Sequence, residues 1–180
     1  HIAKNYDIKL DCITISKKQL DFTKKRIFNA GLNEKVDIKF LDYRDLKGKY
    51  DSIASIEMIE AVGEKYLNKY FSTIKANLNP GGIGAIQAII IKDELFERYR
   101  KNEDFIQKYI FPGGFLPSFN SIKGHCEQSG LKLTGYNSYG VHYSNTLKEW
   151  RNNFISSWNE ISKQGFDLSF KKIWDFYFSY

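Results

Sequence analysis

The feature that most constrains this chain is the alternation, over residues 8–91, of short apolar stretches with longer amphipathic ones. Residues 8–15 (IKLDCITI) carry the period-two pattern of a strand. Ser16 follows as an N-cap with Gln19 three residues on, which predicts a capping box and a helix over 17–30. That helix should bury Leu20, Ile27 and Phe28 and stop at Gly31. Residues 36–41 alternate as a second strand and 50–56 (YDSIASI) as a third. Residues 65–78 are amphipathic, with Leu67, Tyr70, Phe71, Ile74 and Leu78 on one side, and the run NPGG at 79–82 is expected to end that helix. Residues 83–91 are apolar almost throughout, as in a strand covered on both faces.

Strands alternating with helices across short loops specify an α/β fold, a mostly parallel sheet with helices on both faces. Ligands of such sheets sit beyond the carboxyl ends of the strands, here residues 14–16, 41–44, 56–60 and 87–91. A dinucleotide-binding fold requires G-x-G-x-x-G between a strand and a helix, and the only glycine cluster of the first half, GGIG at 81–84, precedes a strand.

The second half has another character. Of the Phe, Tyr and Trp side chains, 9 lie in residues 1–90 and 20 in residues 91–180. Residues 92–117 combine a charged, helix-forming stretch with FPGGFLP, and an insertion of that length is commonly a lid or a substrate wall. Phe105, Tyr109, Phe111, Phe115 and Leu116 suit the lining of an apolar tunnel, or alternatively the packing of a helical cap. Residues 118–129 read as a helix ended by Gly130, 131–136 as a strand, and 146–164 and 167–180 as two helices. Trp150, Phe154, Trp158 and Ile161, then Phe170, Ile173, Trp174 and Tyr177, recur at helical intervals and read as core stripes.

Several classes are excluded. Two distant cysteines, Cys12 and Cys126, provide no disulfide or metal framework and fit a reducing, cytoplasmic compartment. His125 and Cys126 are sequence neighbours without metal-ligand spacing, so no metal is expected. The net charge of +6 is spread, with 15 basic and 11 acidic residues in 1–90, which argues against a nucleic-acid stripe while favouring anionic lipid headgroups. No signal peptide or membrane-length apolar run is present, the longest such stretch, 84–91, being interrupted by Gln87. Met58 is the only methionine and the last residues are ring-rich and helical, so residues 1–180 read as a single truncated domain cut at both ends.

Five separated motifs are more specific. TISKKQ at 14–19, LDYRDL at 41–46, YDSIASIEMIEAVG at 50–63, YIFPGGFLPS at 109–118 and H-Y-x-x-T-L-x-x-W at 142–150 together resemble the cyclopropane-fatty-acyl-phospholipid synthase and mycolic acid cyclopropane synthase family over essentially the whole chain. The resemblance implies a Rossmann-like S-adenosylmethionine (SAM) dependent methyltransferase fold, with a helical insertion at 92–130 after the family's fifth strand forming part of the acyl-substrate site. It also implies that the family's first strand and glycine-rich SAM loop lie upstream of His1.

By that resemblance Thr14, Ile15, Ser16 and Gln19 match a ribose and adenine segment, and Asp42, Tyr43 and Arg44, with Ile56 at the end of the third strand, complete the cofactor side. A capping box explains Ser16 and Gln19 without a ligand, and that alternative stays open. On the reaction side Glu60, the backbone amide of Ile89 and Tyr143 match positions that hold a bicarbonate ion acting as base, with Gln87 and His142 nearby. His142 also reads as a loop histidine bonded to backbone. A carboxylate binds bicarbonate only through the ion's own O–H, which leaves the ion's other oxygens free to accept a proton. Well-known members carry His directly after the Glu and in the next strand, where this chain has Ala61 and Gln87, and glutamine carries no proton away at neutral pH.

The activity implied is methylene or methyl transfer to the cis double bond of unsaturated phospholipid acyl chains at the cytoplasmic membrane surface. A homodimer is compatible, and no nucleic-acid partner is expected. A related transferase that leaves a methyl branch or acts on another lipid or small molecule, and a non-catalytic lipid-binding fragment, are the alternatives.

Overall fold

The structure is a computed structural model that describes residues 1–180. The chain divides into two compact units, His1–Ser55 with Asn68–Ile86, and Ile56–Leu67 with Gln87–Tyr180.

The first unit opens with a single helical turn, α1 (Ile2–Asn5), followed by β1 (Leu10–Thr14), α2 (Lys17–Asn29) and β2 (Val36–Phe40). β1 and β2 are parallel, in a register that sets Leu10 against Val36 and Thr14 against Phe40. Ala3, Leu20, Val36 and Ile38 are buried together, with Leu10, Cys12, Ile27 and Leu32 packed on them. Phe28, expected inside, is 70% exposed, because the inward face of α2 is filled by Leu20 and Ile27.

β3 (Tyr50–Ile56) and β4 (Leu78–Gln87) form a second pair. They run the same way, since Asp51 accepts from the Asn79 amide at one end and the Glu57 N–H donates to the Gln87 carbonyl at the other. The Tyr50 hydroxyl donates to Asp11 Oδ2 at 2.8 Å and so ties β3 to β1. Between β3 and β4 lies α3 (Leu67–Asn77), shorter than the expected 65–78: Leu67, Tyr70, Phe71 and Ile74 are buried as its periodicity predicts, while Leu78, also buried, opens β4. Each large side chain so buried contributes roughly 1.5–3 kcal/mol. The phenol of Tyr70 keeps a partner there, donating to Ser55 Oγ at 2.7 Å.

Two expectations for β4 are corrected. The NPGG run does not separate helix from strand, because Gly81 takes φ +77° and turns the chain within β4 itself. Nor is the strand covered on both faces: Ile83 is 67% exposed, and the pairing ends at Gln87 rather than at Ile91.

The second unit carries α4 (Asp93–Lys101), α5 (Phe105–Tyr109), α6 (Phe119–Gln128), α7 (Gly140–Ser156), α8 (Trp158–Ser162) and α9 (Leu168–Ser179). α5 begins in a reciprocal capping box of Asp104 and Gln107, and α6 stops where Gly130 reaches φ +75°. Residues 131–136 form no strand: Leu131 and Leu133 alternate correctly, but no strand lies beside them to accept the pairing. The helix predicted from 146 begins at Gly140 and breaks at Ser157, which puts His142 and Tyr143 in the first turn of α7 instead of a loop. α7 and α9 are joined by the Arg151–Asp175 ion pair at 2.7 Å and by Phe154, whose ring meets Phe170 and Phe178 at centroid distances of 6.3 and 5.6 Å. Trp150, expected in the core stripe, is 48% exposed. No helix is long and apolar enough to cross a membrane.

Candidate active site

The reaction-side residues all belong to the second unit. Beyond Ile56 the backbone of Glu57 takes φ +49°, the only residue other than glycine with a positive φ. L side chains resist that conformation at a cost on the order of 1 kcal/mol. The chain then enters a 3-10 turn, Ile59–Ala61, pinned by Ile59, which is 0% exposed.

That anchor fixes Glu60, which is gripped twice. Its main-chain carbonyl accepts from the Phe115 N–H at 2.9 Å, and its Oε1 accepts from the Ile89 N–H at 2.5 Å. The other carboxylate oxygen, Oε2, is buried and has no hydrogen-bond partner. A buried acceptor left unpaired costs about 1–3 kcal/mol, more when charged, so this oxygen is a standing site for a donor that the protein does not supply. The Ile89 amide, expected to donate to an anion, is occupied by Glu60 instead.

Tyr143 rises from the first turn of α7 and is half-buried. Burial pushes its phenol well above the ordinary range, reinforced by a hydrogen bond with Tyr177 and by the negative charges of Glu57 and Glu60. It therefore remains protonated and able to donate throughout the working pH range. Tyr177, 7% exposed, is wedged edge-on between Phe111 at 5.8 Å and Trp174 at 5.6 Å. Gln87 lies beside Glu57, donating from Nε2 to Glu57 Oε1 at 3.0 Å. His142 is not among these groups: it is exposed, with its ring 6.3 Å from that of Tyr139. Sequence reasoning missed Glu57 and Tyr177. The Glu-x-x-Glu spacing at 57–60 was a signal for the first, whereas Tyr177 was hidden in an apolar stripe.

The cofactor-side residues lie in the first unit, Ile56 excepted. Thr14 Oγ1 donates to Gln19 Oε1 at 2.8 Å and accepts from the Ser16 N–H at 3.1 Å, while Ser16 Oγ accepts from the Gln19 N–H at 3.3 Å. Only half of the expected capping box forms, because the Gln19 side chain turns to Thr14 rather than to the Ser16 backbone. Its amide group is thereby aimed by a side chain that the helix does not need. Ile15 leaves β1 70% exposed, and Ile56 leaves β3 60% exposed. Asp42 caps the 3-10 turn Tyr43–Asp45. The Arg44 guanidinium grips it at 2.9 and 2.7 Å, which together with the Arg44 N–H holds the Asp42 carboxyl below the usual range. The Tyr43 ring stands edge-on to Tyr70 at 5.9 Å.

Comparison with known proteins gives these placements a context. The family model described as mycolic acid cyclopropane synthetase matches residues 1–180. Tuberculostearic acid methyltransferase UfaA1 of Mycobacterium tuberculosis is 39% identical over 169 residues, 93% of this chain and 40% of that protein. The cyclopropane-fatty-acyl-phospholipid synthase of Escherichia coli K12 is 34% identical over 178 residues, 98% of this chain and 44% of that protein. The chain thus spans less than half the length of these curated relatives. Among solved structures, mycolic acid cyclopropane synthase CmaA1, complexed with SAH and CTAB, superposes with a TM-score of 0.86 at 21% identity, over 98% of this chain and 66% of that one, a likeness of fold. Matched from its first residue to its last by the family model, the chain belongs to the mycolic acid cyclopropane synthetase family.

Proposed function

We propose that the protein is a SAM-dependent transferase that adds a one-carbon unit to the cis double bond of unsaturated phospholipid acyl chains, working at the membrane surface. The observation that carries this reading is the buried Oε2 of Glu60, an acceptor oriented by the Ile89 amide and lacking a donor. The O–H of bicarbonate fits that vacancy in hydrogen bonding, and the phenol of Tyr143 supplies a second contact as donor. When bound, SAM supplies an electrophilic methyl group and bicarbonate supplies an acceptor for the proton released on ring closure. Glu60 holds that acceptor by its proton and leaves its basic oxygens open, while Tyr143, kept protonated, orients it. The Tyr177 ring, packed edge-on against Phe111 and Trp174 and hydrogen-bonded to Tyr143, offers ring surface that favours a transient cation.

Thr14, Ile15, Ser16, Gln19, Asp42, Tyr43, Arg44 and Ile56 are assigned to the cofactor. In support, Gln19 has a free amide N–H2 and Asp42 a carboxylate suited to ribose or adenine groups, with Ile15 and Tyr43 as apolar and ring surface.

A second reading, transfer that leaves a methyl branch, is favoured by Gln87, whose amide is bonded to Glu57 and cannot relay a proton. The name of the mycobacterial relative, a methyltransferase, points the same way. Cells expressing the full-length gene with labelled methionine decide between them. Gas chromatography of their acyl chains is expected to reveal a labelled cyclopropane; a labelled branch supports the second reading, and no label supports a non-catalytic lipid-binding role.

A further inference from the structure

Glu57 combines three observations that the reading above leaves unused. Its backbone is left-handed at φ +49° although it is not glycine. It is tied to Gln87 through both main chain and side chain, the Glu57 N–H donating to the Gln87 carbonyl at 2.9 Å and Glu57 Oε1 accepting from Gln87 Nε2 at 3.0 Å. The Glu57–Gln87 pair also joins the same two segments of chain that the bond from the Ile89 N–H to Glu60 joins.

The backbone strain has no return in folding stability. Both side chains are exposed, where a single hydrogen bond contributes little, and the main-chain bond would form equally well with glycine at this position. Glycine reaches this conformation without strain, so stability alone favours it. Strain kept in this way belongs to sites where geometry matters more than stability. The hydrogen bond has a direction as well: a carboxylate only accepts, so Gln87 must turn its N–H2 group to Glu57, leaving Oε1 as an acceptor pointing away from it.

We infer that Glu57 is a positioning residue of the reaction centre, its left-handed backbone and its carboxylate fixing the Gln87 side-chain oxygen as an acceptor on the two segments that carry Glu60 and Ile89. The inference rests on the transferase reading and deepens it, since two carboxylates and an amide oxygen on these two segments favour a cationic reactant over a neutral one.

The test uses the full-length protein, labelled SAM and vesicles of unsaturated phosphatidylethanolamine, with thermal unfolding of the same samples. Glu57→Gly is expected to leave Tm unchanged or raised while kcat falls at least tenfold and KM for SAM stays within twofold. Glu57→Gln keeps an oxygen for Gln87 and loses the charge, so its kcat should lie between. Gln87→Ala should lower kcat, and the Glu57→Gly and Gln87→Ala effects should be less than additive. Full activity in Glu57→Gly, a Tm that falls in step with activity, or strict additivity would each overturn the inference while leaving the transferase reading intact. A wild-type protein that transfers no label although it binds SAM would overturn the transferase reading and the inference with it.

Discussion

Asp11 and Asp42 in the first unit are held differently from Glu57 and Glu60 in the second. In the first unit Asp11 accepts from Lys39 at 2.8 Å and Asp42 from Arg44 at 2.7 Å, each paired with a full positive charge. In the second, Glu64, Glu160 and Asp175 are likewise ion-paired, but Glu57 and Glu60 meet only neutral amide donors, and one oxygen of Glu60 meets nothing. For Asp11 the cation answers the charge and the pair is structural; Glu57 and Glu60, held by neutral donors, form no ion pair. The second arrangement suits a centre where positive charge arises during a reaction, because the compensating charge is in place beforehand.

Glu60→Gln puts the contrast to its hardest test. It is expected to cut label transfer about 10²–10⁴-fold, the span of a lost acid–base arrangement, with little change in urea unfolding. Unchanged yield would remove the bicarbonate argument. Tyr177→Ala comes next, costing about 3–5 kcal/mol in urea unfolding because it empties a buried ring site between Phe111 and Trp174. Tyr177→Phe keeps the ring contacts and loses only the bond to Tyr143, so it should cost about 1 kcal/mol in stability while lowering kcat. If Tyr177→Phe were fully active, the phenol pair would be packing alone.

The smallest effect concerns the first unit and acid. Hydrogen bonds from Lys39 and Tyr50 hold the Asp11 carboxyl below the usual range. A folded pKa below the unfolded one gives stability that is complete above about pH 4 and is lost as pH falls through the folded value. Asp11→Asn should therefore flatten the acid side of the stability profile, followed by circular dichroism, without touching transfer. A loss of transfer would break the division into structural and reactive carboxylates.

The α/β elements were legible wherever pattern and local chemistry agreed. β3 falls on 50–56 as its alternation predicts, and α3 buries Leu67, Tyr70, Phe71 and Ile74 as its period selects. Residues 131–136 misled because alternation describes a strand's faces but not its neighbour. Glu60 could be picked out by resemblance, yet its two-sided grip depends on Ile89 and Phe115, 29 and 55 residues away, which no local pattern encodes. Glu57 was illegible for a different reason: positive φ is ordinarily announced by glycine, asparagine or aspartate, and here a glutamate adopts it.

The short bond from the Ile89 N–H to Glu60 has a spectroscopic consequence. An amide proton pulled towards a carboxylate resonates far downfield and exchanges slowly with solvent, and both properties relax when the bond lengthens. Ile89 is thus a built-in reporter whose nitrogen-15 labelled signal follows the position of the Glu60 side chain.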